Sequence, residues 1–453
     1  MKVYFKTVGC RVNQVETQSL TEKFVSLGYE TASVPGEADI VVVNSCSVTE
    51  YADRDTFNFI KRTVASHPKA RLVVTGCIAT LNPQKILELA PGAAVFPNAD
   101  KEKIPYQLAG IPPKENFFSV GGFSGHTRAF IKIQDGCNLK CSYCLVPSAR
   151  SEIKSKTAAA ALAEIKNLIG AGFKEIVLCG TRLGMYKCPE TAKGLAGLMG
   201  EIFGLSGDFR IRFSSLEPGE VSEELAAVLK GGGERFCDYF HLPLQAGSDA
   251  VLKAMGRPYT SGEYLKKLDI LRKNFKEPGL FADVIAGYPT ETEEQFAETL
   301  AFVEECFFAG LHVFRFSRRP GTRAYALKPL PPEIVRERAE RLRVLDAGMR
   351  ASYAASMCGR SLKVLVLRTG RKGAFDGEIP DLETRPHAKG GDCGPKAVFA
   401  ADSENKSRQT LGLASNFLNV SLKEKIQPGS FVKVRILGVS GGSCSGEPVQ
   451  PWP

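Results

Sequence analysis

The sequence predicts an α/β protein made of three units: a doubly wound parallel sheet, a partial (β/α)6 barrel and a small antiparallel β-barrel. Short β-branched runs alternate with amphipathic stretches over residues 1–115, and six further pairs of strand and helix follow over residues 125–355. Residues 357–441 instead contain runs in which apolar and polar side chains alternate. Strands that alternate with helices build parallel sheets with covered faces, whereas a period of two indicates strands with one buried face.

Composition limits the environment and the partners of the chain. It has 453 residues, of which 43% are hydrophobic, enough to form several buried cores. Its formal net charge of +10 favours a polyanionic partner. The first residues form an apolar strand without a secretory signal, and 13 cysteines are too few for a disulfide scaffold of this length. We therefore expect a cytoplasmic protein, and since no long apolar run is present we expect no membrane span.

Three strands of the first unit are followed by cysteines. The runs "KVYFKTVGC", "ADIVVVNSC" and "ARLVVTGC" place Cys10, Cys46 and Cys77 two or three residues after an apolar strand. The loops at the carboxyl ends of a doubly wound sheet gather in one crevice, so the three thiols are expected to meet there. A buried apolar role would explain any single cysteine, but the same placement three times favours a shared site.

The second unit begins after the Pro/Gly-rich join "AGIPPKENFFSVGGFSGHTR". Its predicted strands are "AFIKIQ", "KEIVLCG", "FRIRFSS", "DYFHLPL", "LFADVIAG" and "LHVFRFS". Its predicted helices lie near residues 157–171, 191–204, 221–230, 260–274 and 292–309. Six such units in a row predict a closed or three-quarter barrel with its chemistry at the carboxyl ends of the strands.

Three more cysteines, Cys137, Cys141 and Cys144, follow the first barrel strand at C-x3-C-x2-C spacing. Three thiolates on one loop suit a soft metal centre. A structural zinc site would need a fourth ligand, whereas an iron–sulfur cube held by three cysteines leaves one iron open to a substrate or cofactor. A redox disulfide would need only two of these thiols.

At these residues the chain resembles the radical S-adenosylmethionine (SAM) superfamily, whose signature is this spacing with an aromatic residue, here Tyr143, before the last cysteine. Within that superfamily, "TVGCRVNQVE", "VVNSCSVT", "VVTGC", "RIRFSSLEP", "HLPLQAGSDAVLKAMGRPYT" and "DVIAGYPTETEEQF" look like the motifs of the methylthiotransferases. The resemblance implies a methylthiotransferase domain at 1–115, a radical SAM domain at 125–355 and an RNA-binding TRAM-like domain at 357–441.

The resemblance also implies SAM and two 4Fe-4S clusters as cofactors. The cluster that generates the radical would be held by Cys137, Cys141 and Cys144, and the auxiliary cluster, which supplies or carries sulfur, by Cys10, Cys46 and Cys77. Candidate contacts with SAM are Tyr143, Gly180, Thr181, Ser214, Ser215, Glu217, Gln245 and Ile285. Alternatives stay open for single residues: a helix cap would explain Ser214, and an ion pair with a surface arginine would explain Glu217. His241, in an alternating apolar strand, is expected to be a core histidine.

The end of the chain favours an RNA substrate. The runs "LKVLVL", "KAVFAADS", "SNFLNVSL" and "SFVKVRILGVSG" predict strands of a basic closing barrel. Phe417 is its one candidate for stacking on a base, unless it is a core residue. The arginine-rich helix "PPEIVRERAERLRVLDAGMRASYAAS" fits a solvated bridging face and an RNA-binding surface equally well.

The run "GCRVNQVE" resembles the MtaB type of the family most. This type converts N6-threonylcarbamoyladenosine-37, beside the tRNA anticodon, to its 2-methylthio form. The alternatives are the isopentenyladenosine (MiaB) type, the type that modifies a ribosomal-protein aspartate (RimO), and a non-catalytic tRNA-binding protein. The implied partners are the tRNA anticodon stem-loop, SAM and an electron donor such as flavodoxin or ferredoxin, and we expect a monomer. The chain departs from the family pattern at Arg315, where proline is usual, after Arg150, where glycine is missing, and in a long segment around Cys393.

Overall fold

The computed structural model describes residues 1–113, 117–123, 125–371 and 408–449. Within these ranges no helix has the length and apolar character required to cross a membrane. The predicted run "KAVFAADS" and Cys393 lie outside the described residues. The α/β fold class is confirmed, with two parallel arrangements followed by a small closed barrel.

A five-stranded parallel sheet forms the first unit. Its strands are β1 (Lys2–Thr7), β2 (Glu30–Thr31), β3 (Ile40–Ser45), β4 (Arg71–Gly76) and β5 (Ala94–Phe96), in the order β2-β1-β3-β4-β5. Its helices are α1 (Arg11–Ser26), α2 (Glu50–Ser66), α3 (Cys77–Leu81), α4 (Pro83–Leu89) and α5 (Ile104–Ala109). Apolar residues of α1 and α5 pack on one face of the sheet, and those of α2 and α4 on the other. The helices therefore change faces between β1 and β3, which is where doubly wound sheets bind their ligands.

Six parallel strands form the second unit, with one short antiparallel strand at its edge. The strands are β6 (Arg128–Asp135), β7 (Lys154–Ser155, antiparallel), β8 (Glu175–Gly180), β9 (Arg210–Phe213), β10 (Tyr239–His241), β11 (Gly279–Ala286) and β12 (Gly310–Arg315). Two sheets, β7-β6-β8-β9 and β10-β11-β12, are joined by isolated parallel bridges from Ile211 to Phe236 and from Ser215 to His241. The six parallel strands are the six that the sequence predicts.

Helices cover the outside of this partial barrel. They are α6 (Val146–Ala149), α7 (Ala158–Gly170), α8 (Leu195–Phe203), α9 (Glu223–Gly231), α10 (Asp249–Met255), α11 (Ser261–Asn274), α12 (Glu293–Glu305) and α13 (Pro332–Ser356). Together with the outward side chains of the strands they bury the largest apolar cluster of the described chain. The helix expected over 191–204 begins only at Leu195, and the helix expected to reach 309 ends at Glu305.

The third unit is a closed five-stranded barrel. Its strands are β13 (Ser361–Arg371), β14 (Arg408–Ala414), β15 (Asn419–Leu422), β16 (Phe431–Ser440) and β17 (Ser443–Pro448), in the order β13-β14-β15-β17-β16. The pairs are antiparallel except β15 with β17, which is parallel. The strand expected at "SNFLNVSL" begins only at Asn419, because the preceding residues form a turn.

This closed barrel docks on the amino ends of the central strands through two buried arginines. Arg210 and Arg212 share the buried carboxylate of Glu175, at 2.6 and 2.8 Å, and donate onward to main-chain carbonyls of residues 363 and 413–415. Phe417 is buried and stacks on Tyr239 with ring centroids 4.4 Å apart. Phe417 is therefore a core residue at this junction and does not offer its ring to a base.

The arginines of α13 pair mainly with acids of the same chain. Arg338 is buried and donates to Glu291 at 2.9 Å, and Arg350 pairs with Asp346 at 2.8 Å. Arg341 reaches Glu293 at 2.6 Å. These ion pairs favour the bridging interpretation of the helix over an RNA-binding surface.

Candidate active site at the strand ends

The first cysteine triad lies at the carboxyl ends of three adjacent strands. Cys10 follows β1 and caps α1, Cys46 follows β3, and Cys77 follows β4 and begins α3. Cys46 and Cys77 are buried, whereas Cys10 is exposed. The triad spans the gap between β1 and β3, where the covering helices change faces. The structure thus brings these three predicted residues to one crevice.

Two glycines allow the loops of this triad to approach one another. Gly9 has φ +109°, and a Cβ built on it would lie 2.3 Å from the Cβ of Cys46. Gly76 has φ +97°, and its Cβ would lie 2.2 Å from the carbonyl oxygen of Ser45. Any other residue would face both a left-handed backbone and a steric overlap, so the packing requires glycine at positions 9 and 76, directly before Cys10 and Cys77.

The thiols of this first triad are electrostatically coupled. Burial raises the pKa of Cys46, and the neighbouring Cys77 and Cys10 raise it further because their negative charges would repel its thiolate. Burial also raises the pKa of Cys10, although the Arg150 charge and the backbone N–H of Asn13 offset part of that effect. Without a cation the raised pKa values keep Cys10 and Cys46 protonated at neutral pH, and metal binding would release their protons.

Two observations test whether the first triad fits an iron–sulfur cluster. Cys10 is exposed, so the triad is open to solvent at one of its three thiols. The thiols lie close enough to one another that a charge on Cys77 bears on both Cys10 and Cys46. Three soft thiol donors gathered in one crevice with access from solvent fit an iron–sulfur cluster.

The second triad lies on the loop between β6 and α6. Cys137, Cys141 and Cys144 are all half-buried. Burial and the two neighbouring thiols raise the pKa of Cys144 to about 12, and burial also raises the pKa of Cys137. The backbone N–H of Val146 lies 3.4 Å from the Cys144 sulfur, a contact that favours the thiolate. This triad occupies the carboxyl end of the first barrel strand, as predicted.

An arginine that the sequence reasoning missed contacts the second triad. Arg257 is buried, and its Nη1 lies 3.1 Å from the sulfur of Cys141. Its Nη2 donates to the carboxylate of Glu217, and its guanidinium stacks on Tyr259, 5.0 Å from the ring centroid. Glu217 is therefore paired with a buried arginine of the site and not with a surface one. Arg257 lies within the motif "HLPLQAGSDAVLKAMGRPYT", and this motif was the feature of the sequence that could have indicated a role for it in the site.

The candidate contacts with SAM also lie at strand ends. Gly180 ends β8, and the hydroxyl of the next residue, Thr181, donates to Asp135 at 2.7 Å, just before the second triad. Ser214 follows β9, and its buried hydroxyl finds no hydrogen-bond partner within the described part of the chain. A serine that capped a helix would be bonded, so the orphaned hydroxyl fits a polar ligand such as SAM. Ser215 forms an isolated bridge with the end of β10.

The remaining candidates lie on the neighbouring strands. Gln245 has a positive φ of +74°, and its carbonyl accepts a 2.9 Å hydrogen bond from the N–H of Ile285 on β11. Tyr143 and Ile285 pack against the same small apolar cluster, which also contains Tyr288. Burial raises the pKa of Tyr143 well above its usual value. The apolar side of the site is thus built by Tyr143 and Ile285 together.

A polar layer lies on the three last strands of the barrel. His241 and His312 both contact the same oxygen of Asp283, at 2.7 and 3.2 Å. Burial would raise the pKa of Asp283, but the two imidazoles lower it below its ordinary value. This is the group of described residues whose ligand atoms lie within 4.8 Å of one another. The hydrogen bonds to Asp283 account for the layer, and His241 is the buried core histidine that the sequence predicts.

The two triads are connected across the junction between the first sheet and the barrel. Helix α3, which begins at Cys77, packs on α6, which follows Cys144. The Nδ2 of Asn98 donates to the carbonyl of Ala149 on α6 at 2.9 Å and lies 3.7 Å from the sulfur of Cys77. The loops of both triads therefore adjoin one interface.

Comparison with known proteins agrees with this architecture. Residues 2–97 match the uncharacterized protein family UPF0004, and residues 131–303 match the radical SAM superfamily. The radical SAM methyltransferase TsrM from Kitasatospora setae has a similar fold, with a TM-score of 0.54 at 14% identity over 71% of this chain and 76% of that one. The cobalamin-dependent SAM radical enzyme OxsB aligns with a TM-score of 0.50 at 12% identity, over 75% of this chain and 56% of that one. The class defined by fold and site is that of radical SAM enzymes.

Proteins of similar sequence indicate which family of radical SAM enzymes the chain belongs to. The threonylcarbamoyladenosine tRNA methylthiotransferase MtaB of Aquifex aeolicus is 36% identical over 82% of this chain and 94% of its own length. The MtaB protein of Bacillus subtilis is 33% identical over 80% and 84%. A tRNA-2-methylthio-N6-dimethylallyladenosine synthase of Syntrophotalea carbinolica is 31% identical over 82% and 89%. The chain belongs to the radical SAM methylthiotransferase family.

Proposed function

We propose that this protein is a tRNA methylthiotransferase that converts N6-threonylcarbamoyladenosine-37 to 2-methylthio-N6-threonylcarbamoyladenosine. The observation that carries the proposal is the pair of cysteine triads at the strand ends of two adjoining parallel units, where Asn98 contacts the Cys77 sulfur and bonds Ala149 on α6. Forming a carbon–sulfur bond at an unactivated carbon requires an oxidant for the hydrogen and a sulfur atom within contact distance. Two cysteine triads whose loops adjoin one interface support the proposal that both requirements are met by this chain.

The cofactors of the proposed reaction are SAM and two 4Fe-4S clusters. We assign Cys137, Cys141 and Cys144 to the cluster that binds SAM, and Cys10, Cys46 and Cys77 to the auxiliary cluster. SAM held at the cluster of Cys137, Cys141 and Cys144 would supply the 5′-deoxyadenosyl radical with one electron from an external donor, and the cluster of Cys10, Cys46 and Cys77 would supply or carry the sulfur.

The chain itself orients and shields these groups. Arg257 donates to the Cys141 sulfur and is held in place by the Glu217 carboxylate. The unpaired hydroxyl of Ser214 is available to a polar part of SAM, and the apolar surface of Tyr143 and Ile285 is available to its adenine. Gly180, Thr181, Ser215 and Gln245 remain proposed contacts at the neighbouring strand ends.

The substrate assignment rests on the relatives named MtaB, with the dimethylallyladenosine synthases as the second candidate. We further propose that a low-potential donor such as flavodoxin or ferredoxin supplies the electron, and that the enzyme acts in the cytoplasm, where its tRNA substrate lies. A monomer suffices for this chemistry because one chain carries both triads.

The test is a reaction of the anaerobically reconstituted protein with two anticodon stem-loops, one with threonylcarbamoyladenosine and one with isopentenyladenosine at position 37. Liquid chromatography with mass spectrometry of the digested nucleosides should show the methylthio product from the first RNA alone. Methylthiolation of the second RNA alone would contradict the substrate assignment and retain the class. A folded protein that takes up no iron would contradict the enzymatic proposal and favour a tRNA-binding protein.

A further inference from the structure

A buried charge network connects the first sheet to the central barrel. At its centre is Glu16 on α1, whose carboxylate pairs with Lys101 at 2.5 Å, Lys132 at 2.7 Å and Arg150 at 2.7 Å. The side chains of all four residues are at most 4% exposed. Lys101 belongs to the first unit, whereas Lys132 lies on β6, the strand that leads into the second triad. The network is therefore a contact between the first sheet and the central barrel made of directional bonds.

Arg150 reaches the surroundings of both triads from this network. On the barrel side its Nη1 bonds the two carboxylate oxygens of Asp135, at 2.9 and 3.0 Å, and its carbonyl accepts from the N–H of Cys137 at 3.1 Å. On the sheet side its Nη2 donates to Asn13 at 2.9 Å and to Glu16 at 3.0 Å. One side chain thus contacts the residues that precede Cys137 and those that follow Cys10.

Asn13 extends this contact to the loop of Cys46. Its Nδ2 donates to the carbonyl of Val8, two residues before Cys10, at 2.7 Å. The same nitrogen donates to the carbonyl of Ser45, the residue before Cys46, at 3.0 Å. Because Asn13 uses its amide oxygen for Arg150 and its amide nitrogen for these two carbonyls, a displacement of the guanidinium would be passed to both cysteine loops.

We propose that Arg150 is a positioning residue that sets the separation between the two cysteine triads, and so the distance over which sulfur must reach the substrate carbon. The inference rests on the proposed function, since only a reaction with two cofactors requires this separation to be fixed. A guanidinium suits the role because its planar fork presents several donors in fixed directions, whereas the ammonium of lysine is a point charge on a flexible stem. Misplacement by about 1 Å can reduce the rate of a positioned reaction roughly a hundredfold.

The test compares Arg150→Lys with a matched control, Arg212→Lys, in the full-length protein reconstituted anaerobically with iron and sulfide. Arg212 is also buried and bonds a carboxylate and two carbonyls, but it lies at the opposite end of the barrel, and its bonds in the described chain go to Glu175 and to carbonyls of the closing barrel. Pulsed EPR on the reduced protein measures the dipolar interaction between the two clusters. A second readout is the ratio of released 5′-deoxyadenosine to methylthiolated nucleoside.

We expect Arg150→Lys to bind as much iron as the wild type, to shift the dipolar interaction, and to raise the ratio of 5′-deoxyadenosine to product at least about tenfold. Arg212→Lys should lower stability and leave both readouts unchanged. An unshifted dipolar interaction in Arg150→Lys, or loss of iron from either triad, would overturn the inference. If Arg150→Lys does not fold, Asn13→Ala is measured in its place, and an unshifted dipolar interaction between its two clusters would likewise overturn the inference. A wild type with two interacting clusters and no methylthio product would refute the proposed function. The dipolar interaction in Arg150→Lys, compared with that in the wild type, would still test the positioning role of Arg150.

Discussion

Replacing Gly9 by alanine should remove the auxiliary site and leave the radical-generating site intact. A residue with a side chain at φ +109° stores roughly 1–3 kcal/mol of backbone strain. The new methyl group would also lie 2.3 Å from the Cβ and 2.7 Å from the sulfur of Cys46, so the Cys46 loop must move. Forcing one extra carbon into a packed site costs about 1–3 kcal/mol more. The expected loss in the free energy of unfolding is therefore about 2–6 kcal/mol.

The matched control is Gly28→Ala, because Gly28 has a similar φ of +85° but no atom within 4 Å of the added carbon. It should cost about 1–2 kcal/mol, from the left-handed backbone alone. Urea unfolding measures both stabilities, and iron and sulfide analysis after anaerobic reconstitution measures cluster content. Gly9→Ala should bind about four fewer irons per chain, while Gly28→Ala binds the full complement. If Gly9→Ala binds as much iron as Gly28→Ala and is equally stable, the close packing of the two loops does not shape the site.

Four further predictions concern the sites and their support. Cys141→Ala should abolish formation of 5′-deoxyadenosine, whereas Cys46→Ala should retain it and stop methylthiolation. Mass spectrometry of both products tests this. Normal methylthiolation by Cys46→Ala would show that the crevice of the first triad has only a structural role. Arg257→Gln removes a donor to a ligand sulfur and should lower the reduction potential of the radical-generating cluster, measured by EPR-monitored redox titration. The pKa of Asp283 is lowered in the folded state, so its carboxylate adds stability above its unfolded pKa of about 3.9 and loses that contribution as the pH falls below it. The difference in unfolding free energy between the wild type and Asp283→Asn should therefore be smaller at about pH 3 than at about pH 6. Phe417→Ala should destabilise the chain by about 3–5 kcal/mol in thermal or urea unfolding with unchanged iron content, whereas reduced tRNA affinity at unchanged stability would restore a stacking role.

Local patterns were sufficient to predict most of the fold. The predicted strands carry short runs rich in apolar residues, as in Ile40–Ser45 and Glu175–Gly180, and this signal lies within a few residues of each strand. The positions of both triads followed from the same local information: Cys10, Cys46 and Cys77 each follow a strand within three residues, and Cys137 lies two residues after β6. Parallel strands end at one edge, so their loops meet there. Helix α10 was missed because its seven residues are too few to show a helical period.

The parts of the site that depend on distant pairs could not be predicted in this way. Arg257 meets the sulfur of Cys141 across 116 positions of sequence, and Lys132 meets Glu16 across another 116. A charged residue in a periodic pattern normally indicates solvent exposure, so sequence reasoning places such residues on the surface. They are buried here because Arg257 pairs with Glu217 and Lys132 with Glu16, partners distant in the sequence that only the folded chain shows.

The two ends of the central barrel differ in how their polar and charged groups are paired. At the amino end Arg210 and Arg212 bind carbonyls of the closing barrel, and Phe417 fills the space beside Tyr239, so this end is occupied by the chain itself. Both cysteine triads adjoin the carboxyl end, where polar groups such as the Ser214 hydroxyl are left without partners in the described chain. Because buried polar groups are normally paired within a protein, an unpaired hydroxyl at the end that carries the second cysteine loop fits a ligand that satisfies it. Stability at one end thus allows the other end to remain open for cofactors and substrate.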